Sequence, residues 1–304
     1  MPSQTIYISS NCRLSTVNRQ LQIEKEGEKF SRSPEDLDYI VLDHQQIYIT
    51  QGTLLNLLRH NVQLIYCDEH HMPVAVCQPL SRHHLPNKRV RLQLNKNAAL
   101  KDALWKSTMK NKIGNQAYVL QLLGQNEAPL LRWRKELKNG DPTNVEAKAS
   151  KYYWRYLFSD LFSSFKRGRY ESCPNNLLNY GYALLRSAVS RGIVTAGFIP
   201  QVGIHHHNQY NPYCLADDLM EPYRPFVDLL VLDALEEFND IGENLSIEHR
   251  AYMLQLYQMS GCIGDKMYEL PRMIAMTCES LYQAFLHDKK NLAYGAIHAE
   301  IYAT

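Results

Sequence analysis

The sequence lacks any apolar run approaching the roughly 20 residues that a membrane-spanning helix needs. It also lacks a Cys-x-x-Cys pair, although it contains seven cysteines. An odd count without paired spacing argues against a disulfide framework and for free thiols in a reducing cytoplasm. The opening segment Met1-Pro2-Ser3-Gln4-Thr5 has neither a basic lead nor an apolar core, so no secretory signal is expected and the expected location is cytoplasmic. Net charge is nearly absent: 33 Lys and Arg against 31 Asp and Glu leave +2. A chain so balanced binds nucleic acid only through locally clustered cations. Internal repeats and low-complexity tracts are missing. Tryptophan is scarce, three against 20 tyrosines. A tyrosine carries a flat apolar ring and a hydroxyl, which suits wet interfaces as well as cores.

What is present is 304 residues, 45% of them apolar, enough for two hydrophobic cores. The hydrophobic period changes along the chain. Thr5–Ser9 and Leu21–Glu24 alternate at period two, and Glu26-Gly27-Glu28 supplies a turn. Tyr39–Leu42, Ile47–Ile49 and Val62–Cys67 are short apolar strands, with helical spacing over Thr53–His60 between them. From about residue 88 the period is helical, with helices predicted near 100–123, 145–162, 176–191, 228–238, 247–259 and 266–287, and a tail over 289–304. The expected class is α+β. A small β-rich domain over 1–80 leads through a linker over 81–95 into a larger all-α domain over 96–304.

Three segments carry candidate chemistry. Asp141-Pro142-Thr143-Asn144 reads as a turn and cap, which places Glu146 in the first turn of the helix that follows. A carboxylate there suits the helix dipole in any protein, so position alone does not make it a ligand. Gly203–Pro212 reads as a loop holding three consecutive histidines, His205, His206 and His207, a pattern that ordinary polar surface also produces. Asp217, Asp218 and Glu221 crowd into five residues. Asp218 and Glu221 share a helical face, and Pro222 should break or restart the turn there. An acidic cap for the next helix is the alternative reading. Two carboxylates with one imidazole suit a hard divalent ion, Mg²⁺ or Mn²⁺, better than Zn²⁺.

The wording of these segments, in this order, resembles the CRISPR spacer-acquisition integrases: Asn144-Val145-Glu146-Ala147-Lys148-Ala149-Ser150-Lys151-Tyr152-Tyr153-Trp154, then Gly203-Ile204-His205-His206-His207, then Ala216-Asp217-Asp218-Leu219-Met220-Glu221-Pro222-Tyr223-Arg224-Pro225. The likeness extends along nearly the whole chain. It is nearest to type II systems, where the third segment reads Asp-Leu-Met-Glu-Pro. The resemblance implies Glu146, His206 and Glu221 as catalytic metal ligands, with Asp218 as a supporting acid. It selects His206 because the family's His stands three residues after a Gly, with His205 as runner-up. Many relatives carry Asp at the third ligand position, and Glu221 is one methylene longer.

The resemblance further implies a metal-dependent DNA integrase and endonuclease. A captured fragment's 3′-OH would attack the repeat backbone by transesterification. Implied partners are double-stranded DNA, a second copy through the β-rich domain, and a small ferredoxin-like Cas protein in a heterohexamer. A stand-alone structure-specific DNA nuclease and a non-catalytic DNA-binding scaffold are the alternatives. DNA contacts should fall mainly on phosphate. Lys148, Lys151, Lys166, Arg167 and Arg169 are the candidate contacts. The clusters Lys88-Arg89-Val90-Arg91 and Arg132-Trp133-Arg134-Lys135 are further possibilities. A zinc site from Cys67, His70, Cys77 and His83 is conceivable, but its spacing matches no compact zinc module.

Overall fold

The computed structural model describes residues 4–79, 83–168 and 172–297. The N-terminal part runs β1 (Gln4–Ile8), β2 (Cys12–Val17), β3 (Gln20–Lys25), β4 (Glu28–Arg32), β5 (Leu37–Leu42), β6 (Ile47–Ile49), α1 (Gln51–Arg59), β7 (Gln63–Cys67) and β8 (Pro73–Cys77). They form two four-stranded sheets, ordered β1-β5-β7-β8 and β4-β3-β2-β6. The β3–β4 hairpin turns on two residues with positive φ, Glu26 at 51° and Gly27 at +86°. That is the twist a two-residue hairpin loop requires, and glycine supplies it without steric cost.

The central strands of the first sheet are buried on both faces, which explains the apolar run Tyr39–Leu42 in β5. Ile40, Leu42 and Leu64 point into a small core with Leu14, Leu21 and Leu57. Tyr39, Val41 and Ile65, on alternate positions, join the core of the helical part. The Tyr39 ring stacks on Tyr257 at 4.1 Å. Polar contacts reinforce this junction. Arg191 donates to Asp38 at 2.7 Å and to the Asn61 carbonyl at 2.8 Å. Buried Asp43 takes Arg250 at 2.9 Å, the Tyr7 hydroxyl, and His71 Nδ1 at 2.7 Å.

The helical part comprises α2 (Pro86–Asn95), α3 (Ala98–Leu122), α4 (Ala128–Glu136), α5 (Val145–Leu157), α6 (Asn175–Thr195), α7 (Cys214–Met220), α8 (Arg224–Glu237), α9 (Ile247–Met253), a hairpin of β9 (Ser260–Ile263) and β10 (Lys266–Glu269), and α10 (Leu270–His287). Three expectations are corrected. Most of the segment expected as linker is the helix α2, whose Gln93 side chain holds the Ile199 and Val202 carbonyls at 2.9 and 2.7 Å. The C-terminal part is not all-α: β10 occupies the start of the segment read as one helix from Lys266, and Pro271 stands at the beginning of α10, where a missing N–H costs nothing. Residues 289–297 of the expected tail pack against the helical part. Leu292, Tyr294 and Ile297 are buried, and Ala296 bridges to Cys262.

The central helix α3 is buried around most of its circumference, so it shows no one-sided apolar stripe. Asn97 caps it, accepting from Leu100 N at 2.8 Å. Its Asn115 binds the carbonyls of Pro222 and Gly295 at 2.7 and 3.1 Å and accepts from Ile297 N at 3.1 Å. One helical turn earlier stands Lys112. The same helix therefore fixes the Glu221–Pro222 turn and presents a lysine to it.

Candidate active site

Glu146 enters from α5. The cap that starts this helix is Asp141, whose carboxylate accepts from Val145 N and Glu146 N, both at 2.8 Å. Asn144 adopts a left-handed conformation with φ 53° and makes no side-chain cap. Glu221 enters from the far side. Helix α7 ends at Met220, a single 3-10 turn covers Glu221–Tyr223, and α8 restarts at Arg224, as Pro222 dictates.

Between the two acids stands Lys112. Its Nζ lies 2.6 Å from Glu146 Oε1 and 2.6 Å from Glu221 Oε2. Ser150 donates to Glu146 Oε1 at 2.9 Å, and Arg224 Nε to Glu221 Oε1 at 2.8 Å. The contact to Glu221 Oε2 is short but poorly angled for a hydrogen bond, so this buried oxygen has an ionic neighbour and no directed donor. Burial alone would raise the Glu221 carboxyl, but Arg224 and Lys112 outweigh it and hold the group at about 2. Burial likewise disfavours charge on Lys112, and Glu221 and Glu146 reverse that, raising its pKa.

The histidine loop is built on Asp218. This fully buried carboxylate accepts from Ile204 N at 2.5 Å, His205 N at 3.0 Å and His206 N at 3.1 Å, and contacts His206 Nδ1 at 2.6 Å. Gly203 makes that fold possible, since a Cβ there would lie 2.7 Å from Asp218 Oδ2 and closer still to the His206 carbonyl. A carboxylate on Nδ1 fixes the ring so that Nε2 is presented outward as an acceptor. The hydrogen bond to Asp218 raises the His206 pKa against the opposing effect of burial, with Glu221 adding to the rise. His205 instead stacks flat on Trp105 at 4.1 Å, and His207 Nδ1 lies 2.9 Å from the His205 carbonyl. Of the three histidines, His206 is the one whose ring the acid orients. Asp217 instead pairs with Arg186 at 2.8 Å and accepts from Asn211 at 2.7 Å.

The sequence pattern missed Lys112 as the neighbour of both acids, whereas Arg224, the expected partner of one nearby acid, pairs with Glu221. The i, i+3 spacing of Glu221 and Arg224 was a readable signal, while Lys112 lies on a distant helix with nothing local to mark it. Behind Arg224, whose guanidinium lies 4.7 Å over the Tyr182 ring, Tyr182 and Tyr153 bind buried Asp228. Burial pushes Asp228 up to about 6 despite those hydroxyls.

Among the described residues, no three His, Cys, Asp or Glu side chains stand together as ligands for one ion. The reason is visible at the acids, which close on an ammonium while His206 closes on Asp218. The donor set itself fits a hard divalent ion. It offers two carboxylates, one with an oxygen lacking a directed donor, and an imidazole with its outer nitrogen available. The zinc alternative has no such geometry. His70 is exposed beside Glu69, and burial pushes the Cys67 thiol up to about 12. None of the seven cysteines forms a disulfide.

Of the expected DNA contacts, Lys151 and Lys166 are exposed, and so is Lys148, whose Nζ lies 4.7 Å over the Trp133 ring. Arg167 is committed internally, donating to Asn175 at 2.9 Å and Asn179 at 2.7 Å, so it is a clamp on α6 and not a free cation. Arg169 lies outside the described residues. Arg89 is buried in a pair with Glu279 at 2.8 Å, which removes the centre of the first basic cluster. Arg134 in the second donates to the Lys110 carbonyl at 2.8 Å.

A two-sheet N-terminal part packed on a helical part, with two acids from distant segments meeting at one buried lysine and an imidazole oriented by a buried carboxylate, defines an α+β protein with a charge-paired site. The profile of the family described as CRISPR associated protein Cas1 matches residues 6–254. The chain is 35% identical over 239 residues to the CRISPR-associated endonuclease Cas1 of Neisseria meningitidis serogroup C (strain 8013), covering 78% of this chain and 77% of that one. This chain therefore belongs to the Cas1 family. Solved structures share the fold. A casposase bound to integration product superposes with a TM-score of 0.76 at 21% identity, over 96% of this chain and 93% of that one. A CAS1 protein from Thermotoga maritima gives 0.75 at 18% identity, over 97% and 100%. No helix among the described residues is long and apolar enough to cross a membrane.

Proposed function

We propose that this protein is a divalent-metal-dependent DNA integrase and endonuclease of CRISPR adaptation, inserting short foreign fragments into a repeat array by 3′-OH transesterification. The observation that carries the reading is the meeting of Glu146 and Glu221, 75 positions apart, on either side of one Lys112 Nζ, beside an imidazole oriented by Asp218. Family membership and the fold shared with a casposase that is bound to integration product support it. Glu146, His206 Nε2 and Glu221 would hold Mg²⁺ or Mn²⁺. Such an ion, when bound, polarises a phosphodiester and lowers the pKa of an attacking hydroxyl.

The chain's own residues set that chemistry up. Asp218 keeps the His206 proton on Nδ1, so Nε2 is free to ligate. Arg224 holds Glu221 charged and pins one of its oxygens. The Trp105 ring, stacked on His205 and edge-on to His206 at 5.7 Å, screens the imidazole pair from water on one side. Exchange of one phosphodiester for another conserves bond energy, so no nucleotide cofactor is required. Double-stranded DNA and a second copy of the chain, paired through the β-rich part, are the proposed partners. A small ferredoxin-like protein is the third, in a heterohexamer. One fold relative, at a TM-score of 0.74 and 19% identity, is described as a Cas6-RT-Cas1–Cas2 complex.

The test incubates the purified protein with a repeat-bearing plasmid and short duplexes ending in 3′-OH, with Mg²⁺ or Mn²⁺, with and without the small partner. The reading expects strand-joined products that vanish with chelator and in Glu146→Ala, His206→Ala and Glu221→Ala. Cleavage without joining would identify a stand-alone nuclease. Joining that persists in Glu146→Ala would remove the metal-site reading.

A further inference from the structure

Lys112 occupies the position that a divalent ion shared by Glu146 and Glu221 would need. Its Nζ stands 2.6 Å from an oxygen of each acid, close to the 2.0–2.6 Å at which hard cations sit from carboxylate oxygens. The lysine side chain is only 9% exposed, so little water screens the pairing. With Arg224 on the other oxygen of Glu221, the cluster holds two negative and two positive charges and is neutral as it stands. A divalent ion added between two acids already paired with two cations would crowd like charges in a largely buried volume, which is strongly unfavourable. One cation must leave. Arg224 is anchored by its neighbours, between Glu221 at 2.8 Å and the Tyr182 ring at 4.7 Å. Lys112 is held by the acids alone among the described residues, and its ammonium sits on a flexible four-carbon stem.

We propose that Lys112 is an internal stand-in for the metal: its ammonium holds Glu146 and Glu221 in register, and the divalent ion displaces it onto the backbone phosphate of the bound DNA. The inference rests on the metal-site reading above and adds a rule for loading. DNA matters because the displaced ammonium needs an anionic partner, which a backbone phosphodiester supplies. Ion and DNA therefore bind cooperatively, and the ion alone binds weakly. No bond is made or broken, and the lysine moves with its proton.

The experiment measures Mn²⁺ binding to the full chain by electron paramagnetic resonance, with no reaction running. Titrations are done without DNA and with a duplex whose 3′ ends lack the hydroxyl. Lys112→Gln should bind Mn²⁺ about tenfold more tightly than the parent without DNA, and the tightening produced by DNA should shrink from about tenfold to under threefold. Lys112→Gln that is folded and binds no more tightly overturns the proposal. Should that variant fail to fold, the parent chain answers the question by amine acylation read by mass spectrometry. Saturating Mn²⁺ should raise Lys112 acylation several-fold, and an unchanged rate overturns the proposal. Glu146→Gln combined with Glu221→Gln separates the two levels. Mn²⁺ binding to the DNA complex that survives loss of both acids sinks the metal-site reading itself, whereas binding that needs both acids but ignores Lys112 sinks only this inference.

Discussion

Asp218→Asn is the perturbation whose effect the structure specifies most closely. The carboxylate is 0% exposed and faces four donors: three backbone N–H groups of the histidine loop and the His206 ring. An amide keeps one acceptor oxygen and replaces the other with a donor. If the amide oxygen serves Ile204 and His205, its nitrogen meets His206 N, donor against donor. The imidazole must then offer a bare Nδ1, moving its proton to Nε2. Hydrogen bonds to a charged group contribute about 1.5–3 kcal/mol each, and removing the buried charge recovers part of its desolvation, so the net loss is about 2–4 kcal/mol. Urea unfolding measures that loss. Nitrogen NMR of the ring reports the tautomer, and Mn²⁺ affinity should fall by about 10- to 100-fold, as for other partners that orient a ligand. A loss under about 0.5 kcal/mol with the tautomer unchanged would refute the reasoning, because it would mean the loop does not depend on this acid.

Three further outcomes follow from named contacts. Asp228 has its pKa raised from the ordinary 3.8 to about 6 in the fold. The folded chain therefore binds that proton more tightly than the unfolded one. Stability should fall by about 3 kcal/mol as pH rises from about 4 to 6, a slope that Asp228→Asn removes; parallel pH curves for the two proteins would contradict it. Asp43→Ala leaves Arg250, 6% exposed, without its buried acid at the junction between the two parts and should cost about 3–5 kcal/mol in urea unfolding, with a cost below 1 kcal/mol as the opposing result. Gly203→Ala places a methyl against Asp218 and should lower strand joining about 100-fold in a chain that keeps its circular dichroism spectrum, whereas full activity would show that the loop yields.

The fold was legible where local rules govern. Period-two segments and the Gly27 turn marked the N-terminal strands, and Asp141 through Asn144 marked the start of α5. Readings failed where tertiary contacts decide. The segment over 86–95 looked like a connector because its apolar residues are few, yet Arg89 and Gln93 bury their polar ends on α10 and the Ile199–Val202 backbone. Residues 289–297 looked like a tail because their order comes from Asn115, Thr108 and a bridge to Cys262, all distant in sequence. At the site, the acids and the histidine carried recognisable local wording. Lys112 did not, since a single lysine inside a buried helix has no spacing signature. Within the basic runs, Arg89 and Arg167 bind internal partners, which a charge run cannot reveal.

The central claim is that Glu146, His206 and Glu221 surround one divalent ion. Crystals of the protein with DNA, soaked in Mn²⁺ and measured at the manganese absorption edge, test it most directly. The account predicts an anomalous peak about 2.0–2.3 Å from a carboxylate oxygen of each acid and from His206 Nε2, with Lys112 turned away. Manganese bound elsewhere, or Lys112 still between the acids in a crystal active for strand joining, would contradict it.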